Sequence, residues 1–196
     1  MRNTEITRKT AETDITLSLE LDGTGKNAVD TGVGFLDHML ELFARHGRFD
    51  LDVKCKGDTH VDDHHSVEDI GICLGKALAR ALGDARGIRR YSDVTIPMDE
   101  ALVMCAIDIS GRSHLNLDVV TLDNSIGSMD AELLEEFLLA LSRNAGITIH
   151  IRMLDGKNTH HIIEACFKAL ARALREAVKI DDEMRDEIPS TKGTLL

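Results

Sequence analysis

Apolar and polar side chains alternate along residues 49–56, where Phe49, Leu51, Val53 and Cys55 fall on one side, and again along 147–154, where Ile147, Ile149, Ile151 and Met153 do. A period of two marks a strand with one buried face. Around each strand the spacing changes to three and four. Phe35, Leu36, Met39, Leu40 and Phe43 predict a helix over 35–46, and Leu74, Ala77, Leu78 and Ala81 one over 62–82. Strands at 3–9 and 13–21 open the chain. The second half follows with strands at 93–97, 101–109 and 114–121, a helix over 130–144 with Asp130 read as its N-cap, the strand at 147–154, and a helix over 159–178. This order predicts an α+β fold built from a tandem duplicated sheet-and-helix unit, with repeats at about 1–92 and 93–180 and a C-terminal tail. One strand in each half joins two helices, so the sheets are predicted to be mixed.

The duplication reaches individual residues. Leu36-Asp37-His38-Met39-Leu40 returns as Leu134-Glu135-Glu136-Phe137-Leu138, and Arg45 as Arg143. After a two-residue contraction, ascribed to the longer connection at 58–63, His64-His65 with Glu68 aligns with His160-His161 and Glu164. Leu74, Ala77, Leu78 and Ala81 then match Leu170, Ala173, Leu174 and Ala177, whereas the heptapeptide KALARAL, at 76–82 and 168–174, lies one turn out of that register and reflects shared composition.

One His pair near a carboxylate is ordinarily solvated surface. The same set written twice reads as metal ligation. Glu68 shares a helix face with His64 or His65, because residues three or four apart do. Adjacent imidazoles diverge by about 100° and so serve different partners, which makes two ions the natural reading. Nitrogen and oxygen donors without cysteine suit Mn, Fe, Co, Ni or Zn rather than a structural zinc knot. The repeat also equates His38 with Glu136, both competent donors, although Glu136 by itself reads as a solvated helix residue. A pseudo-twofold scheme takes His38, His65, Glu68 and His160 around one ion, and His64, Glu136, His161 and Glu164 around the other.

Composition narrows the partners. A formal charge of −11 disfavours nucleic acid and anionic membranes as bulk partners, and 43% hydrophobic content suffices for a core. No apolar run approaches the length of a membrane span, and the first residues lack an apolar signal core. Cys55, Cys73, Cys105 and Cys166 lie in apolar surroundings without a CxxC spacing, which predicts reduced thiols and a cytoplasmic protein. Arg90, Arg112, Lys168, Ser190 and Lys192 could hold a phosphate. Individually they read as surface cations, a turn residue after Gly111 and a polar tail. Glu12 lies between the first two strands. His46 reads as a complement to the dipole at its helix end, and Asp62 and Asp63 as helix-start carboxylates or outer partners of the imidazoles.

The segments Phe35-Leu36-Asp37-His38-Met39, Asp62-Asp63-His64-His65-Ser66-Val67-Glu68-Asp69, Ser110-Gly111-Arg112, Asn158-Thr159-His160-His161-Ile162-Ile163-Glu164-Ala165 and Ser190-Thr191-Lys192-Gly193 resemble the imidazoleglycerol-phosphate dehydratase family in order and spacing, over nearly the whole chain. The resemblance implies a ribosomal protein S5 domain 2-like fold, two Mn(2+) per active site, and self-assembly to a 24-subunit homo-oligomer with sites between subunits. It implies dehydration of D-erythro-imidazole glycerol phosphate to imidazole acetol phosphate in histidine biosynthesis, the small phosphorylated substrate being gripped as an imidazolate by both ions. It makes Glu12, Arg90, Arg112, Lys168, Ser190 and Lys192 substrate contacts, with Glu12, His46, Glu68 and Glu164 as acid–base candidates. Two positions depart from the family: Glu136 stands where His is common, and Ser113 where Pro is frequent. A carboxylate can replace imidazole on Mn. Two rival readings are a binuclear metallohydrolase, which would release inorganic phosphate, and a metal-storage shell, which would have no use for a phosphate site.

Overall fold

The computed structural model describes residues 2–195. The first half contains β1 (Asn3–Lys9), β2 (Thr13–Glu20), β3 (Asn27–Asp30), α1 (Gly34–Gly47), β4 (Asp50–Gly57) and α2 (His64–Leu82). The second contains β5 (Tyr91–Met98), β6 (Ala101–Ile109), β7 (His114–Asp118), a small hairpin of β8 (Ser125–Ile126) and β9 (Met129–Asp130), α3 (Leu133–Ala145), β10 (Ile147–Asp155) and α4 (Thr159–Ala177). One sheet has the order β1-β2-β4-β3 and the other β5-β6-β10-β7. In each, the strand between the two helices pairs antiparallel on one side and parallel on the other, β4 with β2 and β3, β10 with β6 and β7. The fold is thus α+β with a duplicated unit and mixed sheets, as the alternation of strand and helix patterns predicts.

Each sheet carries its own helices on one face: α2 lies on β1 and β2, α1 on β3, α4 on β5 and β6, and α3 on β7 and β10. The two helix layers then pack on each other across the halves, α1 against α4 and α2 against α3. The core follows this seam, with Met39, Leu40, Ile70, Phe137, Phe167 and Leu170 all fully buried. Contact between α2 and α3 is close because Gly71 and Gly75, four apart on one face of α2, present no side chain. A methyl at Gly71 would lie 2.8 Å from the Phe137 carbonyl oxygen, and one at Gly75 2.7 Å from that of Leu141.

Three departures from the sequence pattern have local causes. β3 has no fully buried residue and hence no period-two signal; its pairing with β4 and the packing of α1 define it. Asp130 is not the cap of α3. Its backbone pairs with Ser125 in the small hairpin, and the helix begins at Leu133 after Glu132, without a side-chain cap. The segment after β7 leaves the sheet at Asp118, short of residue 121. Both α1 and α3 are followed by a left-handed residue, Arg48 at φ 59° and Gly146 at φ 65°. Glycine adopts that geometry freely, whereas arginine does so at a cost.

The α2–α3 contact generates a test. Gly71→Ala gains about 1 kcal/mol of helix propensity, but the new methyl meets backbone that cannot swing away, for which overpacking costs of about 1–3 kcal/mol are usual. Thermal unfolding should therefore shift down, by roughly 2–4 °C per kcal/mol lost. Gly34→Ala, where nothing lies within 4 Å of the added methyl, should leave the midpoint unchanged or higher.

Candidate metal and substrate site

The start of α4 is fixed from three directions. Asn158 caps it by accepting from the His161 backbone N–H, buried Thr159 accepts from the N–H groups of Leu122 and Asp123 at 3.1 and 2.9 Å, and Glu100 Oε1 accepts from those of Lys157 and Asn158 at 3.2 and 2.7 Å. The start of α1 is held by Asp37, which accepts from the Thr31 N–H at 2.8 Å and from the Thr31 hydroxyl. Rigid helix starts are what bring the imidazoles into register.

His160 Nε2 lies 3.2 Å from Glu164 Oε2 on the next turn, and His38, delivered by α1, places its Nε2 3.5 Å from the same oxygen. Donor atoms of His38, His160 and Glu164 all fall within 4.8 Å of one another, the only such group of three among the described residues. Phe35 sets its ring edge-on to His160 at 5.1 Å. Glu164 is buried, and its second oxygen sits 2.6 Å from Lys168 Nζ, which also donates to Met98 Sδ at 3.2 Å. Burial opposes ionisation of Glu164, but Lys168, His160 and His38 outweigh it and hold the carboxyl below its ordinary range. Two imidazole nitrogens and an ionised carboxylate on one spot, with no thiol near, fit a divalent ion of the Mn-to-Zn series.

In the other half the corresponding residues do not converge into such a group among the described residues. His64 Nε2 is 4.0 Å from Glu68 Oε2, and half-buried Glu136 takes on α3 the place that His38 takes on α1. The copies differ at one telling position: four residues after Glu164 stands Lys168, four after Glu68 stands Ile72. Glu164 thus keeps company with His38 and His160, where the pseudo-twofold scheme grouped it with His64, Glu136 and His161. Its i, i+4 contact with His160 brings these three together within one chain.

The second imidazole of each pair turns away, its ring 6.2 Å from its neighbour's and inclined at 84° in both copies. His65 Nδ1 is 3.0 Å from Asp58 Oδ2, while its Nε2 faces Glu12 at 3.8 Å. His161 Nδ1 is 2.7 Å from Glu100 Oε2, and its Nε2 faces Asp99 at 3.8 Å. Hydrogen bonding to Asp58 raises the His65 pKa, and that to Glu100 raises that of His161. The same contact, with the Asn158 N–H, brings Glu100 down to about 2. Asp58, Asp99 and Glu100 were not singled out by the sequence reading, although Asp58 lies in the longer connection and Glu100 at a hairpin tip like that of Glu12. Of the two carboxylates it named as helix-start or outer partners, Asp62 accepts from the His64 N–H at 2.9 Å as a helix-start carboxylate does, and the buried Asp63 Oδ2 finds no protein partner among the described residues.

The phosphate candidates divide. Arg90, with left-handed φ of 73°, donates to Asp108 Oδ1 and to the Pro189 carbonyl, both at 2.8 Å, and stacks on Tyr91. That bond brings the tail alongside, where Ser190 forms a turn with Lys192 and Gly193, and Leu195 returns to the core. Arg112 is exposed just beyond β6, whose last residue bonds to the Arg90 carbonyl. Lys168 is not in this corner. The Arg90 N–H bonds to the Ala177 carbonyl at the end of α4, and from His160 to Ala177 the helix climbs about 25 Å. Recesses of about 360 Å³ beside Leu117 and Glu135, and about 470 Å³ beside Arg2 and Lys179, open elsewhere on the surface.

A duplicated α+β frame bearing paired histidines and glutamates at helix starts defines proteins with a histidine–carboxylate group of the kind that could hold a metal ion. The chain belongs to a particular family of these: residues 31–174 match the model of imidazoleglycerol-phosphate dehydratase. Enzymes of that name are similar throughout, at 57% identity over 195 residues in Methylorubrum extorquens (all of both chains) and 56% over 194 residues in Acetivibrio thermocellus (99% of each). The crystal structure of the Staphylococcus aureus imidazoleglycerol-phosphate dehydratase superposes with a TM-score of 0.83 at 40% identity, covering 91% of this chain and 99% of that one. The Pyrococcus furiosus enzyme, crystallised with (S)-C348, gives 0.83 at 39%, covering 97% and 100%.

His46 lies in the last turn of α1, where the helix dipole would favour its charged form. Burial, then the cations Lys168 and Arg172 facing it from α4, push its pKa below 6.5. Over the window below 6.5 the unfolded chain binds a proton that the folded one refuses, so this group's contribution is intact above that pH and erodes as pH falls. NMR titration of the metal-free chain should place His46 below the ordinary histidine midpoint. Lys168→Met should move it part of the way back, since burial remains; an unmoved midpoint would show that Lys168 does not act on it.

Proposed function

We propose that the chain is a hydro-lyase of histidine biosynthesis, acting in the cytoplasm, that dehydrates D-erythro-imidazole glycerol phosphate to imidazole acetol phosphate with two Mn(2+) per site. The observation that carries this reading is the convergence of His38, His160 and Glu164 in a member of this family. The hydrogen that must leave sits on a carbon beyond the one that loses its hydroxyl and is not acidic, so a base alone would face a high barrier. When bound, the ions would supply Lewis-acid stabilisation of a deprotonated imidazole ring.

The chain's residues divide the remaining work. Glu164, tied to two imidazoles and Lys168, serves as a ligand and leaves little freedom for proton transfer. Glu68, His64 and Glu136 serve the second ion. Glu12, half-exposed and facing His65 Nε2, is the best placed of the acid–base candidates to exchange a proton with substrate. Arg112, Lys192 and Ser190 receive the phosphate, with Arg90 anchoring the tail that carries Ser190 and Lys192. The separation of about 25 Å between that corner and His160 along α4 exceeds the reach of so small a substrate. It supports sites completed by neighbouring subunits, in keeping with a 24-subunit assembly. The described residues include no helix long and apolar enough to cross a membrane.

Incubation of the Mn-loaded protein with the substrate should yield imidazole acetol phosphate and no inorganic phosphate; release of phosphate instead would make the protein a hydrolase. Glu136→Ala should lose close to one metal per chain and lower turnover by orders of magnitude, because an imidazolate held at one end loses charge stabilisation. Glu136→His should be tolerated. Retention of both metals and full turnover in Glu136→Ala would remove it from the ligand set.

A further inference from the structure

The two halves bracket their outward histidines in the same way with residues that do not correspond. In the first half, Nδ1 of His65 meets Asp58 from the connection after β4, and Nε2 faces Glu12 from the β1–β2 turn. In the second, Nδ1 of His161 meets Glu100 and Nε2 faces Asp99, both from the β5–β6 turn. The strand pairings fix the correspondence. Cys55 pairs with Ile15 and Met153 with Val103, so counting back three residues along each inner strand matches Glu12 with Glu100. β10 carries an extra residue between Met153 and Asp155; Asp155, paired with Leu102, then matches Lys56, paired with Asp14, and two residues further on Asp58 matches Lys157. The second half therefore lacks a carboxylate at the position of Asp58 and uses the counterpart of Glu12 in its stead. A relationship inherited from duplication would have reused the same position. Here one contact, carboxylate on Nδ1, has been reached from two different elements.

The hairpin tip is also bent to this end. Asp99 adopts a left-handed φ of 49°, which glycine would take without cost, and so retains a side chain on the Nε2 side of His161. Glu100 is held rigid, because its other oxygen accepts the two N–H groups that precede α4.

We propose that Asp58 and Glu100 are positioning residues that hold His65 and His161 as Nδ1–H tautomers with Nε2 presented outward as the donor atom. A neutral imidazole has one donor and one acceptor nitrogen, and a carboxylate can only accept, so Nδ1 is the nitrogen that keeps the proton. Fixing the ring in advance matters most for these two histidines, which point away from the cluster of their own chain and must meet ligands that it does not supply. The proposal rests on the metal-site reading above and concerns which nitrogen is offered.

The test uses the full chain and Mn(2+). Imidazole ¹⁵N NMR of the metal-free protein at alkaline pH, where both rings are neutral, should show Nδ1–H tautomers for His65 and His161. Asp58→Ala should release that preference for His65 alone and weaken Mn(2+) binding by about 10–100-fold, as loss of such partners generally does. Asp58→Asn, whose amide oxygen can still accept, should recover much of both. For Glu100 the variant is Glu100→Gln, which keeps acceptors for the helix start; it should retain the fold and bind Mn(2+) more weakly than wild type. Nε2–H tautomers in the wild type, or unchanged Mn(2+) affinity in Asp58→Ala and Glu100→Gln, would overturn the proposal. A wild-type chain that takes up no Mn(2+) at all would sink the metal-site reading, while the tautomers would still decide the positioning claim.

Discussion

The packing of each half's helices on those of the other is the constraint from which the rest follows. A sheet with two helices on one face has dried only one side of each helix, and the opposite side of α1, α2, α3 and α4 is dried by the other half. Full burial of a large apolar side chain is worth about 1.5–3 kcal/mol, so side chains such as Phe137 and Phe167 make the seam a dominant favourable contribution. The same seam makes chemistry possible. His38 reaches Glu164 only because α1 of one half lies along α4 of the other.

What was legible in the sequence follows from what a one-dimensional pattern can encode. Strands β4 and β10 alternate against a core, and α1 through α4 repeat at three and four, so their existence could be read directly. The contact of His160 with Glu164 is a relation within one helix, yet the pseudo-twofold scheme assigned the two residues to different ions. Asp58 and Glu100 were not legible, because each acts across a loop on a residue whose distance in the chain has no fixed period. β3 went unseen because a four-residue edge strand that turns only Val29 toward the core has no alternation to read. His46 shows another limit: position at a helix end suggested a favoured cation, but burial first, and then Lys168 and Arg172 on a different helix, disfavour its charged form.

The clustered histidines and the phosphate candidates other than Lys168 lie at opposite ends of α4, and each end has its own means of being fixed. At the His160 end, Asn158, Thr159 and Glu100 saturate the backbone groups that a helix start leaves open. At the far end, Arg90 ties the last turn, Asp108 and the tail together through one guanidinium and its backbone. Both devices commit polar groups that would otherwise be free for ligands, which is why Arg90 behaves here as a fastener while Arg112 and Lys192 remain available.

Duplication alone builds a device that cannot tell left from right. Two copies of the same histidine pair and glutamate would grip a flat, nearly symmetric ring equally well in either sense, and a ligand with a tail on one side would have no preferred heading. Glu136 in the place of His38, and Ile72 in the place of Lys168, break that tie. One carboxylate has a cation 2.6 Å away and the other has isoleucine at the matching position, so the paired motifs acquire a polarity that the fold by itself does not possess.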